Sequence, residues 1–167
     1  MEMRSQSFGD TPLLQASRLG HVKIVECLLA HNADVNTLAE GGENALILFA
    51  YATDHPQTIE LLIDKGAKVD ILDNNGASAL FVASQSGHTE TVKLILDKGA
   101  EVNMQENSYG ASALIVASQK GNMETVKLLL DKGAKVDMQV SSGESWSYCG
   151  KLQWSYGNSQ ASSRQGC

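Results

Sequence analysis

The sequence predicts an all-α solenoid, a row of stacked helix-turn-helix repeats joined by short β-hairpin fingers. Three observations lead there. Residues 76–103, GASALFVASQSGHTETVKLILDKGAEVN, and residues 110–137, GASALIVASQKGNMETVKLLLDKGAKVD, agree at 21 of 28 positions. The same frame returns as GDTPLLQASRLGHVKIVECLLAHNADVN at 9–36 and, more loosely, as GENALILFAYATDHPQTIELLIDKGAKVD at 42–70. The opening glycines Gly9, Gly42, Gly76 and Gly110 fall 33, 34 and 34 residues apart. A period of this size marks units that cannot bury their apolar faces alone and do so by stacking.

The elements follow in chain order within each unit. Thr11, Asn44, Ser78 and Ser112 suit N-caps, because a short side-chain oxygen there accepts from an orphan amide one turn on; Pro12 sits where a helix tolerates proline. In the third unit the first helix runs through Leu80 and Ala83 and stops at Gly87, a residue suited to the left-handed conformation that ends many helices. The second helix carries Val92, Leu94, Ile95 and Leu96 over a broad arc, as expected of a helix sandwiched between neighbours, with Glu90 and Lys93 on its wet face. Lys98-Gly99 ends it, a cation near the last carbonyls followed by a glycine cap. Between units, stretches such as DILDNNG (70–76) hold the Asn and Gly that supply positive φ in tight hairpins. The second unit departs most: it has an inserted residue in or just after its first helix and Asp54-His55-Pro56 in place of Gly-His, which predicts a distorted turn.

Composition narrows the function. The chain has 167 residues, 43% of them apolar, enough to fill a core. Residues 1–139 hold 11 Lys and Arg against 18 Asp and Glu, a net charge of −7, and the remaining 28 residues carry +1. Such an array repels phosphate backbones, so nucleic acid is not expected as a partner and a basic protein is easier to accommodate. MEMRSQSFGDTPLL lacks the apolar run of a secretory signal, and no stretch approaches the roughly 18 apolar residues of a membrane span. The expectation is a cytoplasmic chain that does not engage the membrane, with the nucleus open as an alternative. Three separated cysteines, Cys27, Cys149 and Cys167, imply no disulfide framework, and Cys27 in VECLL reads as a small buried thiol.

No reaction centre assembles. His21, His55 and His88 recur at one repeat position, and Asp64, Asp97 and Asp131 at another, so they spread along a stack instead of converging on a metal or pairing as acid and base. The glycines form neither G-x-G-x-x-G nor a phosphate loop. The chain is accordingly expected to be no enzyme, with no catalytic residue, cofactor, metal or small-molecule substrate.

Thr11-Pro12-Leu13, Gly20-His21 and Ala33-Asp34-Val35-Asn36, on helix, turn, helix and projecting finger, resemble the ankyrin repeat family over residues 9–139, in units of about 9–41, 42–75, 76–109 and 110–139. The signature departs in two ways. Leu14, Ile47, Phe81 and Ile115 replace its histidine, and Ala45, Ala79 and Ala113 replace its proline. The resemblance implies a curved stack that binds proteins, a scaffold or adaptor, or else a structural or regulatory segment of a larger multidomain signalling protein. It places partner contacts at the finger tips and on the exposed side of each first helix: Asp10, Arg18 and Leu19; Glu40 and Glu43; Asp73, Asn74, Asn75, Gln85 and Ser86; Glu106, Tyr109, Gln119 and Lys120. Tyr109, pushed forward by a finger one residue longer than the third, reads as an interface anchor or as packing on its own hairpin, and Phe8 is a weaker candidate. The acidic fingers suggest a basic partner, against the alternative that they serve solubility alone.

Residues 1–8 form an extension and residues 140–167 a Ser/Gly-rich tail, expected to be flexible. Register persists through Gly143 and Ser145, then Trp146-Ser147 replaces the Ala-Leu of the repeat. A fifth repeat interrupted by truncation or a changed reading frame accounts for this. Alternatively Trp146, Tyr148, Trp154 and Tyr156 cap the fourth unit, since terminal repeats need shielding. Four units are near the minimum of about three for stability, so a monomer or weak self-association through uncapped ends is expected.

Overall fold

The computed structural model describes residues 10–106 and 110–138, and they form eight helices. These are α1 (Pro12–Arg18), α2 (Val22–Ala30), α3 (Ala45–Ala52), α4 (Pro56–Asp64), α5 (Ala79–Ser86), α6 (Thr89–Asp97), α7 (Ala113–Lys120) and α8 (Met123–Asp131). All four expected N-caps form. Thr11, Asn44, Ser78 and Ser112 accept from the amides of Leu14, Ile47, Phe81 and Ile115 at 3.3, 2.9, 3.2 and 3.4 Å. At the other end of α5 and α7, Gly87 (φ 76°) and Gly121 (φ 75°) take the left-handed conformation.

Two layers result. The first helices α1, α3, α5 and α7 pack in sequence, as do the second helices α2, α4, α6 and α8, and each unit's pair packs on itself. Burial follows this arrangement. Leu13, Leu46, Leu80 and Leu114 recur in the first layer and Val25, Ile59 and Val92 in the second, all buried. Each such side chain withdrawn from water stabilises the stack by about 2 kcal/mol. The helix α3, ALILFA before Tyr51, is buried on every side through Ala50, which explains why its sequence shows no polar stripe.

Polar bonds repeat along the stack as regularly as the apolar ones. Asn36, Asp70 and Asn103, one per unit, accept from the next unit's Lys68, Glu101 and Lys135 amides at 3.1, 3.3 and 2.9 Å. His88 Nδ1 meets the Ala50 carbonyl at 2.9 Å, and Asn122, at the same repeat position, donates to the Ser84 carbonyl at 2.9 Å. On the outer edge Lys98 pairs with Asp64 (3.0 Å) and Glu60 (3.2 Å), and Lys132 pairs with Asp97. The bonds to Asp64 and Glu60 raise the Lys98 pKa, and the bond from Lys132 lowers that of Asp97.

Several expectations change. The first two described fingers are bare turns, closed by backbone bonds from Ala39 to Glu43 and from Asp73 to Ala77 at 2.8 and 3.0 Å; Glu106 bonds to Ala111 at 3.0 Å, and strand pairing among the described residues is a single bridge, Gln105 to Ser112. Among the described finger residues glycine alone supplies positive φ, at Gly42, Gly76 and Gly110; the described non-glycine residue with positive φ is Asn32 (60°), which ends α2 where other units have Gly66, Gly99 and Gly133. The Lys98 ammonium reaches across to the neighbouring unit's carboxylates and not to its own carbonyls. Cys27 is exposed: among the described residues no unit covers the side of α2 on which Leu61, Leu94 and Leu128 are half-buried in later helices. Phe8, Tyr109 and the tail from 140 lie outside the described residues.

The second unit carries the expected distortion and uses it. Two residues, Thr53 and Asp54, stand where the third unit has Gly87 alone. Thr53 leaves α3 in an extended conformation (φ −158°, ψ 150°), and Asp54 then accepts from the backbone amide of Thr91 at 3.0 Å and from its hydroxyl at 2.8 Å. Thr91 is the third residue of α6, whose own N-cap, His88, makes no side-chain capping bond. Asp54 thus caps a helix of the next unit.

Candidate partner-binding surface

The first helices end in a row built by the repeat. Arg18, Tyr51, Gln85 and Gln119 are equivalent residues, followed by Leu19, Ala52, Ser86 and Lys120. Packing of α1 on α3, α3 on α5 and α5 on α7 lines the eight positions up, and helix termination turns them outward: Arg18, Leu19, Tyr51, Ala52, Ser86, Gln119 and Lys120 are exposed and Gln85 half-buried. Leu19 is 62% exposed and Tyr51 36%. Tyr51 was not among the sequence-derived candidates. The signal for it was present, since it lies 34 residues before Gln85, but the irregular second unit hid the alignment. An aromatic ring beside an exposed leucine, with amides and two cations along the same row, suits protein recognition: large area with few rotors, ringed by polar groups.

The finger residues divide into two kinds. Asp73 is buried, and its carboxylate accepts from the Asn75 and Ala77 amides at 2.8 Å each, so it builds the turn in place of projecting from it. Glu43 is also buried, folded back over Gly41. Asp10 accepts from Gln15 (2.9 Å) and Arg18 (3.0 Å), and Glu106 is half-buried in its own turn, facing the Ala111 amide. These four were expected as exposed acids; Asp73 and Glu106 instead serve as acceptors for inward-pointing turn amides, and Asp10 takes side-chain donors. Glu40, Asn74 and Asn75 remain exposed. Asn74 ties two fingers together, donating its amide to the Gly41 carbonyl at 2.8 Å and its side chain to the Glu40 carbonyl at 3.0 Å, which anchors the Glu40 backbone beside the second finger and leaves its side chain exposed.

No group of three or more His, Cys, Asp or Glu residues converges among the described residues, and no helix there is long and apolar enough to cross a membrane. The four-unit geometry agrees with the comparisons to known proteins: the family model described as ankyrin repeats (3 copies) matches residues 1–73 and 46–140. The chain belongs to the ankyrin repeat family. Ankyrin repeats are in general protein-interaction modules and not catalysts. The chain is 37% identical over 76 residues to transient receptor potential cation channel subfamily A member 1 of Homo sapiens, covering 46% of this chain and 7% of that protein. It is 38% identical over 80 residues to palmitoyltransferase AKR1 of Lachancea kluyveri, covering 46% of this chain and 11% of that protein. It is 36% identical over 75 residues to neurogenic locus notch homolog protein 1 of Xenopus laevis, covering 45% and 3%. These ankyrin stretches are therefore small parts of much longer proteins, whose names describe the whole.

Proposed function

We propose that the chain is a non-enzymatic interaction module, a scaffold or adaptor that holds a protein partner against the row from Arg18 to Lys120 and the finger edge at Glu40, Asn74 and Asn75. One observation carries the reading. Scaffold positions repeat from unit to unit as caps and inter-repeat bonds, whereas the row changes chemistry along the stack, from Arg18 to Tyr51 to Gln85 at one position and from Leu19 to Ala52 to Ser86 to Lys120 at the next. A surface that varies on an invariant frame serves recognition of something irregular, such as another protein. The net charge of −7 over residues 1–139 favours a basic partner through long-range attraction more than through finger contacts, because most finger carboxylates are engaged internally. The small share of each relative that is matched supports a second reading, a regulatory ankyrin segment within a longer signalling protein.

Quantitative affinity capture tests the proposal. Wild type is compared with Tyr51→Ser/Lys120→Glu and with Glu40→Lys, all checked for unchanged thermal unfolding. Partners common to the wild type should fall at least tenfold with the row variant. Identical partner recovery with all three proteins refutes the assignment of the surface, and turnover of a substrate by the purified chain refutes the non-enzymatic reading.

A further inference from the structure

The two ends of the stack expose apolar residues where a buried junction holds a polar pair. Between the third and fourth units Thr89 and Thr125 share a hydroxyl-to-hydroxyl bond of 2.9 Å, with Thr125 fully buried. The residue equivalent to Thr89 at the C-terminal end is Met123, 63% exposed, and the residue equivalent to Thr125 at the N-terminal end is Ile24, 51% exposed. A terminal repeat kept apart in water is expected to carry polar residues on its outer face. Here both ends carry the reverse substitution, and they are the two halves of one contact.

Two further junction bonds have matching groups at the same ends, although His31 Nδ1 also meets its own Cys27 carbonyl at 2.8 Å and the Ser118 carbonyl also accepts from the Gly121 amide at 3.2 Å. Asp64 and Asp97 take the cations Lys98 and Lys132 of the next unit; the equivalent acid in the last described unit is Asp131, and the residue equivalent to those lysines in the first is His31. His88 and Asn122 approach a carbonyl near the end of the preceding first helix, and the first unit offers His21 at that position while the fourth offers the carbonyl of Ser118.

We propose that this chain binds a second copy of itself end to end, the C-terminal face of the fourth repeat on the N-terminal face of the first, continuing the solenoid across the junction. Met123 of one copy packs on Ile24 of the next, Asp131 faces His31, and His21 bonds the Ser118 carbonyl. The contact is heterologous, so each added copy presents the same free end and association proceeds to open chains, not to a closed dimer. This surface is separate from the row that the proposed function uses.

Sedimentation velocity of the full chain across a concentration series tests it. The weight-average mass should rise above the 17.9 kDa of one chain as concentration increases. Ile24→Glu blocks one face and Met123→Glu the other; both residues are exposed, and matched thermal unfolding confirms that folding is kept. Each variant alone should be monomeric, whereas an equimolar mixture, which offers one intact face of each kind, should form a dimer and nothing larger. Wild type that stays at the mass of one chain throughout, as it would if residues 139–167 or 1–9 covered these faces, overturns the proposal. So does self-association of either variant as strong as wild type, or a mixture that stays monomeric.

Discussion

Asp54→Ala isolates the bond by which the irregular second unit holds the third. In the folded chain the Asp54 carboxylate accepts from the Thr91 amide at 3.0 Å and its hydroxyl at 2.8 Å, and Thr91 is fully buried. Removing the acceptor leaves both donors inside the protein at the positive end of α6, where a carboxylate is otherwise favoured. Loss of an N-cap costs about 1 kcal/mol. A second charge-assisted bond brings the gross loss toward ~3 kcal/mol. Asp54 itself is exposed, so water partly replaces the carboxylate, and the net loss should be about 2 kcal/mol. For a domain of this size that lowers Tm by roughly 6–8 °C. Urea unfolding should show the midpoint moving with the slope unchanged, as when stability changes without a change in the surface exposed. Asp54→Asn, which keeps a carbonyl acceptor, should lose about half as much. The double-mutant cycle with Thr91→Val should show coupling of about 1 kcal/mol, since the hydroxyl bond can be lost only once. A loss under about 0.5 kcal/mol for Asp54→Ala refutes the claim that the distorted turn caps the neighbouring unit, and additivity in the cycle refutes the contribution of the hydroxyl bond.

Gly42→Ala should cost about 2 kcal/mol in chemical denaturation: its φ of 82° strains any Cβ, which would also stand 2.7 Å from Asn74 Oδ1 and 3.0 Å from the Asn74 amide, breaking the link between fingers. Gly99→Ala, with φ 94° but open space around it, should cost about half of that, and equal losses would show that the link contributes nothing. The edge ion pairs set a pH response whose sign is fixed. The Asp97 pKa is lowered, so its contribution stands above about pH 4 and is lost as pH falls through the folded value. The Lys98 pKa is raised, so its contribution stands below about pH 10 and is lost as pH rises through the folded value. Between these limits the two pairs should add no slope to a Tm-against-pH curve, and Lys132→Gln should flatten the acid limb. Both pairs are exposed, so the effect should be small and should fade in about 1 M salt.

Local chemistry that depends on near neighbours in sequence was legible in it. Capping by Thr11, Asn44, Ser78 and Ser112, and termination at Gly87, follow from rules that act within one helical turn, and the period supplied the stacking. Two kinds of feature escaped. The role of Asp54 joins residues 37 apart across a unit boundary, and the insertion that creates it looks in the sequence like a defect. Tyr51 was lost to the same irregularity, which obscured its equivalence to Gln85. Cys27 reads as buried in the sequence because its neighbours VECLL match buried positions in other units, while burial at that edge depends on what packs against it from outside the unit.

The acidic finger residues show a different gap, between having a charge and presenting it. Sequence places Asp10, Glu40, Glu43, Asp73 and Glu106 at finger tips, and a count of carboxylates there suggests a negative binding edge. A tight turn, however, points several amides inward, and an Asp or Glu within two to five residues is the nearest acceptor. Asp73 satisfies two such amides, Glu106 faces the Ala111 amide from a half-buried position, and Asp10 holds Arg18 and Gln15. Glu40 differs because Asn74 engages its backbone carbonyl and leaves the carboxylate side chain exposed. Two substitutions of the same charge should therefore separate: Glu40→Gln acts on binding with little change in stability, whereas Asp73→Asn acts on stability first. A partner whose affinity falls only in proportion to the unfolded fraction of each variant would place recognition elsewhere on the chain.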